Sequence, residues 1–508
     1  MPSITKHHQK IKSHLIAKVD DLCDFLGAAI AEGRSAHEVE QELWDWGLKF
    51  GHKALGLFFK LCGPGDEGEV VKLTDGREIK RFPSLHPRPY LTAFGEYSLP
   101  RYVYGSRAGQ KIDYVPFDAR LQLPERKFSY LLQDWNQAMA VDLPFGQVNG
   151  HLSRILNFQQ SVNSLEQSNR QLSASVGYFW SQEIKAVTAE RQVEPITDDS
   201  QNATITVISA DGKGVVMRSN ELKKRSAKVA KQAGRPGHKK MALIGSVYNI
   251  DSYSRTPEQV LVALFADQRV GDEERLPVRP KPVHKWVRGA LLRNDQDKTD
   301  PQSDEIFSWL ADEVRQRQPV CGKDERKPVV LLMDGQTSLW NSGEKHLPEA
   351  TFAVTEILDL IHATEYVWTA THLFYPKKSQ QAATHAREQI GKLLNNQVNT
   401  VINEWRTRAL REAFTPAQQE ALETVCGYLT NHAHRMRYKD YLEKGWPVAS
   451  GVIEGACRNV VKDRMEHSGM RWTMKGAHAM LELRSIQLSG LWDKFMLDWR
   501  QRENQRLY

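Results

Sequence analysis

The sequence predicts a multidomain α/β protein, and three observations carry that expectation. Two short β-branched or aliphatic runs, Thr204-Ile-Thr-Val-Ile-Ser-Ala and Pro328-Val-Val-Leu-Leu-Met, read as buried strands, and each is followed by an aspartate. Residues 379–444 hold helical periodicity and no strand signal. The N-terminal third switches between helical and hairpin patterns. With 508 residues the chain has room for roughly three domains, each with its own core.

In chain order, residues 12–62 read as two helices. In the second, Val39, Leu43, Trp46, Phe50, Ala54, Leu57, Phe58 and Leu61 recur at helical spacing as one apolar face, and Gly63-Pro-Gly65 stops it. This gives a helical region over 1–66. A β-rich block over 67–140 follows, with a strand, an Asp75-Gly76 turn and a strand between Val70 and Phe82, then an antiparallel pair around Tyr90 to Tyr104. Residues 141–190 are helical, and Phe145–Leu156 with Val162–Val176 is a helix-turn-helix candidate for DNA binding. Residues 190–203 read as a linker. The segment 200–375 carries the strands ending at Asp211 and Asp334, a strand from Met241 to Ile250, and a strand from Ala353 to Asp359. Within it, the Pro- and charge-rich residues 271–304 read as an excursion with one short helical piece. Helical residues 376–445 precede the helix that begins at Gly451 and bears Glu454.

Composition admits a polyanionic partner without requiring one. Lys plus Arg number 69 against 62 Asp plus Glu, a net charge of +7. The five cysteines include no Cys-x-x-Cys spacing, which supports neither a disulfide framework nor a cysteine zinc site. The N-terminal residues lack a signal peptide's apolar stretch, and no run of about 18 apolar residues occurs, so a cytoplasmic protein is expected.

The chemistry-bearing residues are acids. Asp211, Asp334 and Glu454 sit on strand, strand and helix, and carboxylates at the ends of buried strands are costly unless a cation receives them. Their oxygens suit Mg²⁺ or Mn²⁺, and two such ions can activate a water or 3′-hydroxyl for in-line attack on phosphorus. Taken singly, each acid has a structural reading: Asp-Gly after a strand is a common turn, and an acid in a first helical turn favours the dipole. Asp359 and His362, a helical turn apart, are further candidates facing the same site, the histidine as phosphate ligand or proton-transfer group, or else as a hydrogen-bonded core residue. Around Glu454, Ile453, Ala456, Cys457, Val460 and Val461 form a buried stripe, with Glu454, Arg458 and Lys462 beside it at successive turns. Arg464, Arg471, Trp472 and Lys475 extend the basic character, Trp472 either stacking on a base or serving as core. Between Asp211 and Met241 lie ten basic residues, among them Lys213, Lys223, Lys224, Arg225 and Lys228, against the single acid Glu221. They are expected to contact DNA phosphates, a solvated loop being the alternative.

These residues carry a resemblance. Gly451-Val-Ile-Glu-Gly-Ala-Cys-Arg-Asn-Val-Val-Lys-Asp-Arg-Met, Gly469-Met-Arg-Trp, Gly476-Ala and Leu483-Arg484 resemble the C-terminal signature of bacterial ISKra4-family insertion-sequence transposases. Leu332-Met-Asp-Gly335, Asp359-Leu-Ile-His-Ala-Thr-Glu-Tyr-Val-Trp368, Thr92 to Arg101, Pro116-Phe-Asp118 and Leu121-Gln-Leu-Pro124 resemble other blocks of that family. The Asp-x-x-His element is also similar to one in Mutator-like and IS256-type transposases. Where relatives carry a cysteine pair, this chain has Tyr104-Gly-Ser-Arg-Ala-Gly109, so a zinc-stabilised element is not expected there.

The resemblance implies an RNase H-like DDE catalytic core, a mixed sheet with flanking helices, in two parts at 200–375 and 446–490 around an all-α insertion at 376–445. It implies Asp211, Asp334 and Glu454 as a triad holding two Mg²⁺ or Mn²⁺ ions, terminal inverted repeats and target DNA as double-stranded partners, and at least a homodimer. The expected function is DNA cleavage and strand transfer by a transposase. A domesticated DNA-binding regulator that no longer cuts, and a nuclease without strand transfer, are the competing readings. The intact triad argues against the first and the large N-terminal region against the second.

Overall fold

The structure is a computed structural model that describes residues 2–106, 111–190, 205–218, 239–265, 278–292, 301–318, 327–348, 352–467 and 469–508. The chain divides into two compact units, residues 1–169 with 493–508, and residues 170–492.

The first unit opens with α1 (Pro2–Ala31) and α2 (Ala36–Cys62). Ser35 starts α2 with a capping box: its hydroxyl accepts from the Glu38 amide while the Glu38 carboxylate accepts from Ser35. The apolar face expected along α2 holds in part, with Val39, Trp46, Phe50, Ala54 and Leu57 half-buried. Leu43, Phe58 and Leu61 are exposed, whereas Leu48, Leu55, Phe59 and Cys62 pack inward. With Phe58 and Phe59 adjacent, either could have marked the core stripe, and the sheet takes Phe59. Strands β1 (Val70–Lys72) and β2 (Glu78–Arg81) pair antiparallel, β3 (His86–Thr92) pairs with β4 (Gly95–Arg101), and β5 (Tyr104–Gly105) joins β2. Helices α3 (Pro116–Leu121), α4 (Tyr130–Ala140), α5 (Phe145–Leu156) and α6 (Val162–Ser173) follow. Leu91, Phe128, Leu132, Val148, Leu152 and Leu165 make one core of this unit.

The second unit starts within α6 and continues through α7 (Val176–Glu190). The linker expected at 190–203 lies almost wholly outside the described residues. Strand β6 (Ile205–Val216) pairs antiparallel with β7 (Lys239–Ile250), which is followed by α8 (Pro257–Leu264) and pairs antiparallel with β8 (Val283–Leu291). After α9 (Pro301–Arg317) comes β9 (Val329–Met333), parallel to β6, then α10 (Thr337–His346) and β10 (Val354–Leu358), parallel to β9. The result is a five-stranded mixed sheet in the order β10-β9-β6-β7-β8. Strand β8 corrects the reading of 271–304 as an excursion. Its flanks are charged and its first residues half-exposed, but Val287 to Leu291 are buried, so its interior half reads as strand only once β7 is beside it.

Sheet faces are covered by helices. On one side Gly245 of β7 lets Ile306 and Trp309 of α9 approach closely, and Trp309 packs edge-on against Trp180 of α7. Helices α11 (Leu360–Phe374), α12 (Gln380–Leu394), α13 (Val398–Arg411), α14 (Pro416–His432) and α15 (Tyr438–Glu443) then run on without a strand. The chain finishes with α16 (Gly451–Cys457), a π turn (Arg458–Lys462), a further helical turn (Asp463–Met465), α17 (Met474–Leu488) and α18 (Trp492–Leu507). Helix α17 lies on β8, where Gly289 donates its amide to Ser485 and sits against Val460 and Leu481. Among the described residues no helix is long and apolar enough to cross a membrane, and Cys23, Cys62, Cys426 and Cys457 are free thiols.

Candidate active site

The register of the parallel strands brings the acids together. Thr206 pairs with Val329 and Ile208 with Leu331, an offset of 123 positions. Asp211 and Asp334 are separated by the same 123, three residues further on. Val354 pairs with Val329 and Leu358 with Met333, an offset of 25, which also separates Asp359 from Asp334. Asp334 and Asp359 thus share the first row beyond the carboxyl ends of β9 and β10, and Asp211 stands at the matching offset on β6, three residues past its last pair with β9. Residues of one row point to the same face. The β6–β9 ladder ends at Ile208 and Leu331, so Asp211 and Asp334 stand where the two strands part.

One expectation about Asp211 is corrected. It neither ends its strand nor enters a turn: β6 continues to Val216, Asp211 pairs with Ile244, and Gly214 pairs with Met241. The antiparallel ladder with β7 carries β6 past the point where β9 has stopped. Asp211 and its two glycine neighbours are extended strand.

Asp334 directly follows β9, and its carboxylate accepts from the Gln336 amide at 3.0 Å. Burial pushes its pKa above the ordinary aspartate value, the Gln336 amide and His362 work against that, and the Asp211 and Asp359 charges add to the rise. Asp359 caps α11 and is fully buried. Its Oδ1 accepts from the amides of Ile361 (3.1 Å) and Ser450 (3.2 Å), and its Oδ2 from the Ser450 hydroxyl (2.6 Å), with the His362 Nδ1 at 2.7 Å. Burial alone would raise this carboxyl, but the bonds from His362, Ser450 and Ile361 hold it below the usual range. The same Asp359 bond lifts the His362 pKa to about 9, against burial and with help from the charges of Asp359 and Asp334.

Glu454 lies in the first turn of α16 and is exposed. Three residues on, the buried Cys457 thiol lies 4.0 Å from the Asp211 carbonyl, which sets α16 against β6. Burial, with the Asp211 charge, pushes that thiol's pKa well up, so it is protonated packing. Among the described residues, the His and carboxylate group whose ligand atoms gather within 4.8 Å of one another is Asp359, His362 and Glu454. Asp334 adjoins it through the row shared with Asp359, and Asp211 through the matching offset on β6.

The donor set fits a hard divalent cation in part. Asp211, Asp334 and Glu454 form no ion pair with a lysine or arginine among the described residues, and the Asp211 and Asp359 charges raise Asp334 while His362 partly offsets them. Asp359 does not fit as a ligand, because both its oxygens are already committed to four donors. It orients the imidazole instead and leaves Nε2 for the site. Ser450 was not expected from the sequence. Its hydroxyl does not cap α16 but is spent on Asp359, joining the start of the Glu454 helix to the end of β10.

The basic residues divide. Arg458, Lys462 and Arg471 are exposed, and Arg458 lies 3.4 Å from Asp463. Lys213 is half-buried on β6, two residues from Asp211. Arg464 and Trp472 are corrected as DNA contacts: both are buried, the guanidinium lies 5.2 Å from the indole centroid, and the indole nitrogen donates to the Met465 carbonyl. Trp472 also exchanges backbone bonds with the end of β6, through Val216 and Arg218, which locks it into the fold. The π turn also breaks the expected regular stripe of Glu454, Arg458 and Lys462, because its wider turn shifts the residues that follow. Lys223, Lys224, Arg225 and Lys228 lie outside the described residues.

No protein-family profile and no curated protein matches the chain. Among solved structures, a Drosophila P element transposase strand transfer complex aligns over 74% of this chain and 82% of its own, at 10% identity and a TM-score of 0.23. A superposition that loose carries no argument about fold or function.

Proposed function

We propose that this chain is a DNA transposase with an RNase H-like core, acting through divalent-metal phosphoryl transfer at Asp211, Asp334 and Glu454. The observation that carries the reading is the row of Asp334 and Asp359 beyond parallel strands, with Asp211 at the matching offset and His362 and Glu454 beside Asp359. Three antiparallel strands followed by two parallel ones, with helices on the faces, agree with the mixed sheet such a core requires. The resemblance of the Glu454 and Asp359 blocks to insertion-sequence transposases supplies the substrate class, double-stranded DNA at the element's ends.

When bound, divalent ions at such a site polarise phosphoryl oxygens and acidify water. Asp211, Asp334 and Glu454 would hold them. His362 presents Nε2 to the ligand while Asp359 and Ser450 fix the ring, so the imidazole can donate to a non-bridging oxygen as charge builds there. Positioning and charge neutralisation do most of the work in phosphoryl transfer, and these residues are suited to both.

The test is incubation of the purified chain with DNA that includes the sequences flanking its coding region, with Mg²⁺ or with EDTA. Strand nicks at fixed positions, dependent on Mg²⁺ and absent for Asp334→Asn, are expected. Binding to those sequences without nicking would favour the regulator reading. Nicking with no joined products would favour the nuclease.

A further inference from the structure

The helical stretch between α11 and α16 reaches the site at the turn after Asp334. Gly335 follows Asp334 directly, and a Cβ at that position would overlap the Tyr428 ring and hydroxyl. Tyr428 belongs to α14, and its ring stacks on Tyr366 of α11 with centroids 3.6 Å apart and planes 9° from parallel. Tyr366 is one helical turn beyond His362, so the pair continues the face on which the imidazole stands. His432, one turn beyond Tyr428, packs against it at 4.8 Å. The phenol is thus held by the Tyr366 stack and by His432, against the turn that carries Asp334.

The Tyr428 hydroxyl makes no hydrogen bond to another described residue. Burial, reinforced by Tyr366 and by the Asp334 and Asp359 charges, raises its pKa and keeps it an O–H donor at neutral pH. A fixed aromatic donor against the residue that follows Asp334, half-buried and bonded to no other described residue, is placed for a ligand's oxygen. Tyrosine is both donor and acceptor, and where divalent ions would offset the aspartates, a phosphoryl oxygen brought beside them is an acceptor for this O–H.

We infer that the Tyr428 hydroxyl is a further ligand-binding group of this site, donating to a phosphoryl oxygen of a nucleic-acid phosphodiester seated beside Asp334. The all-helical stretch is then part of the active site and not a spacer. This inference rests on the phosphoryl-transfer reading above and names a donor that the reading did not include. Gly335 is required because any larger residue would displace the phenol from its place.

The experiment compares wild type, Tyr428→Phe and Tyr428→Ala as full-length chains, with three measurements. Inorganic phosphate binding in the presence of Mn²⁺ is followed by calorimetry and by the tyrosine ultraviolet difference spectrum, nicking is followed with Mg²⁺, and melting temperature is recorded. Tyr428→Phe keeps the stack and the cover over Gly335. It should melt like wild type, bind phosphate about tenfold more weakly, lose the tyrosine difference signal, and nick roughly a hundredfold more slowly. Tyr428→Ala should also melt lower. Equal phosphate affinity in wild type and Tyr428→Phe, or no phosphate binding by wild type beside Mn²⁺, overturns the inference. If wild type never nicks DNA but Tyr428→Phe still loses phosphate affinity, the transposase reading fails while the role of Tyr428 stands.

Discussion

Asp359→Asn separates the two roles given to the Asp359–His362 pair. The wild-type carboxylate accepts four bonds in a fully buried position. An amide can keep the two backbone donors on its oxygen, but its NH₂ then faces the imidazole and the Ser450 hydroxyl. His362 must turn its neutral Nδ1 into an acceptor, and the charge-assisted bond is lost. The size of that loss follows from the histidine, whose pKa rises from 6.5 to about 9. At about 1.4 kcal/mol per tenfold, the rise is worth roughly 3 kcal/mol for a shielded pair. The imidazole keeps 35% of its side-chain exposure, so solvent screening trims this to about 1–2 kcal/mol. A histidine raised in the folded state stabilises in full below its unfolded value of 6.5, and that stabilisation disappears as pH climbs through about 9. Urea unfolding of both proteins in EDTA, at several pH values across that window, reads the effect. The stability gap between wild type and variant should be widest at the acid end and shrink by about 1–2 kcal/mol at the alkaline end. A gap that does not change with pH would refute the pairing. The same variant should slow nicking while leaving DNA affinity alone, because it disorients a donor and removes no phosphate contact.

Three other predictions concern Asp334, Glu313 and the basic residues that follow β6. Asp334→Asn should abolish Mg²⁺-dependent nicking with DNA binding intact, and should not lower the melting temperature, since it removes a half-buried charge beside Asp211 and Asp359; a fall in melting temperature with nicking retained would mark Asp334 as structural. Glu313 is fully buried in α9 with neither oxygen hydrogen-bonded and Arg317 3.5 Å away, and burial lifts it to about 7. An acid raised on folding keeps a proton that the unfolded chain releases, so stability drops as pH climbs from 4.5 to about 7. Glu313→Gln should therefore gain on wild type by about 1–3 kcal/mol on going from pH 5 to pH 8, and parallel pH profiles for the two would contradict it. Reversing Lys223, Lys224 and Arg225 to Glu should weaken binding to all DNA alike and flatten the dependence of log K on log salt by about 0.9 per lost contact; an unchanged slope would leave those residues as solvated surface.

Much of the fold can be read in the chain, and the exceptions share a cause. Helix α5 and the helical character of residues 379–444 follow a local period, and strands β7, β9 and β10 are mainly apolar or β-branched runs, so these need no partner to be inferred. Phase is harder. In α2 two adjacent phenylalanines leave the buried stripe undetermined until β4 and β3 supply a surface, and β8 hides its buried half behind charged residues. The acids at the site are legible as types, but their alignment is not. Offsets of 123 and 25 become meaningful only when the register of β9 with β6 and β10 is known. Ser450 and Tyr428 carry no local signal at all, because their roles depend on residues 91 and 93 positions away. Arg464 and Trp472 show the opposite error. A basic and aromatic cluster looks like a nucleic-acid surface in one dimension, while in three it is a cation held against an indole inside the fold.

That last point changes what the segment around Glu454 is for. Directly after α16 the helix widens into a π turn from Arg458 to Lys462, and a π turn leaves backbone carbonyls without their usual partners. Arg484 of α17 supplies them: its buried guanidinium donates to the carbonyls of Val460 (3.0 Å) and Asn459. Arg464 and Trp472 brace the following turn, and the Trp472 backbone ties that turn to the end of β6. The cations of this block are therefore divided between two tasks. Arg458, Lys462 and Arg471 face outward, where a phosphate backbone could be met. Arg464 and Arg484 face inward and hold the shape of the chain that follows Glu454. Arg484 holds the π turn, Arg464 braces the turn after it, and Cys457 sets α16 against β6 beside Asp211. On the proposed reading, a carboxylate that shares cations with two others needs its position fixed more than its neighbourhood made basic. A frame of buried arginines at the foot of an exposed glutamate answers that need.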